Sequence, residues 1–364
     1  MSTAIQTTSR ATTTDTVPIV SPKPVRAVAS TLATSSLSKA IEKPWSLVPA
    51  TPPKRRLERE EDLYVKASAL AARAEQLVMQ GQIAESLAVA QQAHALGSTH
   101  LPLLSRIFRA QSLAFYEMEE YPAAIQMAQK ALNLKGAAPL SASVEASCHL
   151  LIGNCHWMEY EDDKALAAFR IASEIPNPDQ RQVIVSLDRL ADAYIELEDL
   201  DQAAAPLTRA AYLAYQVGEM RTTIVLARKA VTCPADSNTE VNLWNLLGAA
   251  HYNLGELLEA EEAFRQSVLR ADNAQDQYPA VYNWGLVLIR LGRPAKALRR
   301  MTWCCERNRS DPALWQYRAL TLTSLGQYQE ALNCLTQATV ISWDDSSVLA
   351  SIHDQWTDIM KEME

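Results

Sequence analysis

The sequence predicts an all-α fold: an α-solenoid of about seven helical hairpins, with one inserted helix and a C-terminal capping helix. Two observations predict it. From about Glu61 onward, apolar residues recur at three- and four-residue spacing, and short polar turns interrupt them roughly every 12 to 16 residues. Glycine is scarce, with 10 residues in 364 against the roughly 25 that average usage of about 7 % would supply. That shortage disfavours glycine-rich nucleotide folds and favours helices. No apolar run approaches the roughly 20 residues that span a bilayer.

Residues 1–60 read as a separate Ser/Thr/Pro-rich tail. They hold seven of the 17 prolines and show no sustained helical period, so they cannot bury enough apolar surface to order themselves. Nine Lys/Arg against four Asp/Glu give the tail +5, which leaves −13 on the remaining body of a chain whose formal charge is −8. A body so acidic repels a nucleic-acid backbone at long range. The basic tail, poor in acids, also suits an organelle transit peptide, as the alternative to the disordered arm of a cytoplasmic protein. Within it Lys43, Trp45 and Leu47 place an aromatic in a proline-flanked strip, a candidate docking peptide for another protein.

The body follows in four parts: N-terminal hairpins over 61–217, an inserted helix and linker over 218–240, C-terminal hairpins over 241–344 and a capping helix over 345–364. Trp244, Leu247, Gly248 and His251, with Gly255, Leu257, Ala260 and Phe264, set a helix, a tight turn and a second helix within about 30 residues. Trp284, Gly285, Leu288, Gly292, Ala297 and Met301 repeat the pattern, as do Trp315, Ala319, Leu322, Gly326, Tyr328, Ala331, Leu335 and Ala338.

These residues resemble the tetratricopeptide repeat family, whose first helix carries Trp-x2-Leu-Gly-x2-Tyr and whose second carries spaced Ala, Phe and Ala. Counting the small residue of each first helix gives Ala74, Ser112, Gly153, Ala191, Gly248, Gly285 and Ala319, at steps of 38, 41, 38, 57, 37 and 34. The step of 57 predicts one extra helix near Gly218 to Val231. Pro122 and Pro294 mark starts of second helices, and Asp311-Pro312 reads as an N-cap with a first-turn proline. Pro206 is expected to kink or delay the helix that carries it. Val348, Ile352, Trp356 and Ile359 give the last helix one apolar stripe, as a terminal cap requires.

No nucleotide-binding, hydrolase or zinc-protease motif is present, and the chain reads as non-enzymatic, with no cofactor and no metal. Cys148-His149 and Cys155-His156 lie seven residues apart, about 10.5 Å along a helix, too far to share one ion, and both pairs fall on core positions. Cys304-Cys305 also reads as packing, and six cysteines without framework spacing fit a reducing compartment. Arg290, Arg293, Lys296, Arg299, Arg300, Arg307 and Arg309, opposed only by Glu306, form one basic island.

The resemblance implies a concave groove lined by the first helices. Asn154, Trp157, Asp188, Asp192, Asn242, Asn245, Tyr252, Tyr282, Leu286 and Gln316 would face into it and take a peptide or helix of a partner protein. Asp188 and Asp192, four apart, would make an acidic spot for a basic segment. The matching places hold no Lys/Arg cluster of the kind that relatives use to clamp acidic chaperone tails. The expected function is a non-enzymatic scaffold or adaptor, in assembly or as a chaperone-like component of a complex, with an RNA-associated protein working through the basic island at 290–309 as the alternative.

Overall fold

The computed structural model describes residues 53–96, 100–136, 140–176 and 179–363. Among them are sixteen α-helices and no strand: α1 (Pro53–Met79), α2 (Ile83–Ala95), α3 (Leu101–Glu117), α4 (Tyr121–Asn133), α5 (Ala142–Met158), α6 (Asp162–Glu174), α7 (Gln180–Glu196), α8 (Leu200–Gln216), α9 (Met220–Ala230), α10 (Ser237–Leu254), α11 (Leu257–Arg270), α12 (Ala274–Arg290), α13 (Pro294–Arg307), α14 (Pro312–Thr323), α15 (Tyr328–Ile341) and α16 (Ser346–Met363). Helix α1 opens at Pro53, so the boundary expected near residue 60 falls inside it. A proline suits a first turn, and Lys54 to Asp62 contains no breaker. Helix α8 runs through Pro206 from Leu200, neither delayed nor divided.

Several helix starts are fixed by side chains. Asp179, Asp199, Asp236, Asn273 and Asp311 each accept a backbone N–H of the first turn, as does Ser141 from Val144. These caps satisfy donors that a helix leaves unpaired.

One turn geometry recurs eight times. In each, a residue with positive φ follows the first helix, and the next residue donates its N–H to the carbonyl five positions back. These bonds run Gln82 to Leu77, Glu120 to Phe115, Glu161 to His156, Asp199 to Tyr194, Glu219 to Ala214, Glu256 to His251, Arg293 to Leu288 and Gln327 to Leu322, all at 2.9–3.0 Å. The left-handed residues are Gly81, Glu119, Tyr160, Glu198, Gly218, Gly255, Gly292 and Gly326.

Counting from these turns defines the repeat. Seven residues earlier stand Ala74, Ser112, Gly153, Ala191, Ala211, Gly248, Gly285 and Ala319. Five later stand Ser86, Ala124, Ala165, Ala203, Thr223, Ala260, Ala297 and Ala331, each fully buried. Small side chains at both places let the two helices of a hairpin approach. At Gly153 and Gly248 a Cβ would come within 2.5 and 2.6 Å of the Phe169 and Phe264 rings.

The extra helix is α9, and the eight turns show how it joins the array. Helix α8 is the second helix of the hairpin with α7, through the turn at Glu198. It is also the first helix of a hairpin with α9, through the turn at Gly218, with Ala211, Thr223 and Ala230 in the expected places. The step of 57 therefore divides at Ala211 into 20 and 37.

Sharing one helix moves the first helices from one row to the other. Helices α1, α3, α5 and α7 touch in succession, and α9 is held alongside α7 by ion pairs from its N-cap residue, Glu219 with Arg181 at 2.7 Å, and from its last turn, Lys229 with Asp192 at 2.7 Å. From the junction onward, α8 touches α10 and α10 touches α12, while α14 touches α16. Ring contact between Tyr282 and Tyr317 links α12 to α14. Helix α16 buries Ile352 and Ile359 against the last hairpin and presents its other side to solvent.

Candidate protein-binding face

The residues expected in one groove fall on two rows. Asn154 and Trp157 on α5 and Asp188 and Asp192 on α7 belong to the first row. Its charged and polar groups are largely matched within the chain. Glu75 of α1 pairs with Arg109 at 2.6 Å and Arg106 at 3.4 Å on α3. Gln182 of α7 accepts from the Ser143 hydroxyl at 2.8 Å and donates to the Ser143 carbonyl at 2.9 Å. Trp157 packs against the core formed by α6 to α11.

The acidic spot is not free. Lys229 of α9 donates to Asp188 at 2.8 Å and to Asp192 at 2.7 Å. Burial pushes the Asp192 carboxyl above its ordinary range even though Lys229 pulls it down. For Lys229 burial works against the charge, but the two carboxylates outweigh it and hold the ammonium up.

Asn242, Asn245 and Tyr252 on α10, Tyr282 and Leu286 on α12 and Gln316 on α14 form the second row. Asn283 donates to Asn245 Oδ1 at 3.1 Å, joining α12 to α10. The Arg290 guanidinium lies 4.7 Å from the Tyr252 ring centroid, and the Tyr282 and Tyr317 rings meet edge-on at 6.1 Å. Gln316 accepts from Ser351 at 3.3 Å, which extends the strip to α16. Tyr212 on α8, the helix where this row begins, is partly exposed and was not foreseen as part of it. Leu286 is a correction: it is buried beside Val281, Met301 and Leu314 and serves the core instead of a groove wall.

The basic island is dispersed. Arg290 turns to Tyr252 on the second row, and Arg293 pairs with Glu261 at 2.5 Å. Arg300 stacks 3.8 Å from the Trp284 centroid, with burial lowering its pKa. Arg307 stacks 3.7 Å from that of Trp303. Lys296, Arg299 and Arg309 are left exposed, without an ion pair among the described residues. Lys43, Trp45 and Leu47 lie outside the described residues.

All six cysteines are free and buried. Burial pushes the thiols of Cys148, Cys155, Cys304 and Cys305 up to about 12, which keeps them from acting as nucleophiles near neutral pH. Trp244 and Trp284 pack with the core, and Trp315 against the last hairpin.

Residues 241–273, which comprise most of α10, all of α11 and their turn, match the tetratricopeptide repeat family. The same small-residue and turn register recurs in all eight hairpins. Residues 241–273 therefore carry a tetratricopeptide repeat. No curated protein matches this chain. Solved structures similar to it include a MamA protein, at 16 % identity over 56 % of this chain and 94 % of that one, with a TM-score of 0.37. The TPR2AB-domain:pHSP90 complex of yeast Sti1 matches over 81 % of this chain and 98 % of its own at 16 % identity, with a TM-score of 0.30. YrrB, described as having an unusual peptide-binding site, covers 57 % and 91 % at 16 % identity and 0.34. Among the described residues, no helix is long and apolar enough to cross a membrane.

Proposed function

We propose that the chain is a protein-interaction scaffold, an assembly adaptor that holds a peptide or helix of a partner on the row from α8 to α14. The supporting observation is Arg290. It is exposed beside Tyr252 and has no carboxylate partner among the described residues, whereas Arg106, Arg109 and Lys229 along the first row are ion-paired within the chain. Amides at Asn242, Asn245 and Gln316 can pair with a partner's main chain, and Tyr252, Tyr282 and Tyr317 supply flat apolar contacts with little side-chain entropy to lose.

Asn245→Ala with Tyr282→Ala tests this reading. The double variant keeps its helical circular dichroism and loses the proteins that wild type retains in affinity purification from native extract. Equal retention by the folded variant rejects the face. The dispersal of the basic island gives the RNA reading no comparable support.

A further inference from the structure

We propose that His156, Glu159 and Glu161, at the turn between α5 and α6, form a site for one divalent transition-metal ion of the zinc type. One ligand atom from each of the three residues lies within 4.8 Å of the others. Tyr160 stands between the two glutamates with φ at 62°, and the turn that it makes brings Glu159 and Glu161 round to the imidazole. His156 Nδ1 is 2.6 Å from Glu161 Oε2. A tetrahedral zinc ion with bonds of about 2.0–2.2 Å spaces its ligands at roughly 3.4 Å, within reach of torsions of the two flexible glutamates. Imidazole with carboxylates is a donor set that zinc accepts, and it leaves a fourth position for water. Lys164 donates to the other oxygen of Glu161 at 2.7 Å, which would orient that carboxylate from behind.

The other hairpins supply the comparison that singles this turn out. A His–Glu pair in the same two places recurs at the α10–α11 turn, where His251 Nδ1 lies 2.5 Å from Glu256 Oε2, so the pair alone is a clamp of the hairpin. What differs is the residue just before the left-handed position. There the seven other turns carry Gln80, Met118, Leu197, Val217, Leu254, Leu291 and Leu325, and only α5–α6 carries a carboxylate. Two carboxylates crowded at one turn repel each other, and a cation between them would relieve that repulsion. The chemistry is open to zinc-like ions as a class. Harder ions such as magnesium, which prefer all-oxygen octahedral shells, fit the imidazole poorly.

The test is zinc binding to the untagged full-length chain, read by competition with a chromophoric chelator. Wild type is expected to take up one zinc ion per chain at this site. Glu159→Leu, which restores the residue found at Leu254, is expected to bind at least about tenfold more weakly with unchanged circular dichroism. Glu256→Gln is expected to bind as wild type does. Glu159→Gln provides the same reading should the leucine variant fail to fold. Wild-type affinity in the folded Glu159 variants would overturn the site, as would an equal loss in Glu256→Gln or no saturable uptake by wild type.

Discussion

Lys229 Nζ lies 2.7 Å from Asp192 Oδ1 and reaches it from a helix 37 residues further along the chain. The same ammonium holds Asp188 at 2.8 Å, so one cation separates two carboxylates and ties α9 to α7. Lys229→Met leaves the carboxylates facing each other without a counterion. All three side chains are about one-third exposed, so solvent screens part of the loss. The expected cost is about 1–2 kcal/mol, read as a lower urea midpoint at pH 7.

The same pair has a pH signature. Lys229 has a folded pKa above its ordinary 10.5, so its contribution is fully present below 10.5 and is lost as pH climbs through the raised value. Lys229→Met should lack that component of the alkaline decline. Asp192 runs the same way at the acid end: its raised pKa favours the folded state below 3.8 and loses that contribution as pH rises through the folded value. Urea titrations of wild type and variant at a series of pH values separate the two windows.

Buried thiols give a third expectation. With Cys148, Cys155, Cys304 and Cys305 held at about 12 against an ordinary 9.0, each favours the folded state below 9.0 and surrenders that contribution as pH rises toward 12. A chromogenic disulfide reagent at pH 8 should find none of the six cysteines in the native chain and all six in urea. Rapid native labelling of any one would contradict its burial.

Glycines in different settings should respond differently to alanine. At Gly248 the new Cβ meets the Phe264 ring at 2.6 Å, and displacing that ring costs about 1–3 kcal/mol, more than the roughly 1 kcal/mol gained in helix propensity. At Gly218 nothing lies within 4 Å, but φ is +84°, so the cost is backbone strain of about 1–2 kcal/mol. Thermal denaturation of both variants tests the signs. A stabilised Gly248→Ala would mean that Phe264 has room to move.

The hairpins were legible wherever one residue played one part. Gly248 with Phe264 and Gly285 with Met301 announce helix, turn and helix in order, and the extra helix showed as a step that was too long. Its manner of joining was hidden because Ala210 and Ala211 are neighbours: one stands in the register set by Glu198 and the other in that set by Gly218. A single periodic reading cannot keep both. The face was harder to read because its partners are remote in sequence. Asp188 and Asp192 looked open until Lys229 was placed beside them, and the basic island looked continuous until Glu261, Trp284 and Trp303 took their shares. His156 stands beside Cys155 in the sequence, and what marks its turn is Glu159, in a place where four of the seven other turns carry leucine and none carries a carboxylate.

A helix that belongs to two hairpins also bears on how the chain comes apart. In a simple linear array each unit can fray from an end with only its interface to the next unit lost. Here α8 supplies half of the hairpin before it and half of the hairpin after it, so neither side can release it and remain whole. The junction around Leu207, Ala211 and Leu226 should therefore behave as a mechanical weld. Melting that starts at α1 or at α16 would travel inward unit by unit and then take the centre in one cooperative step.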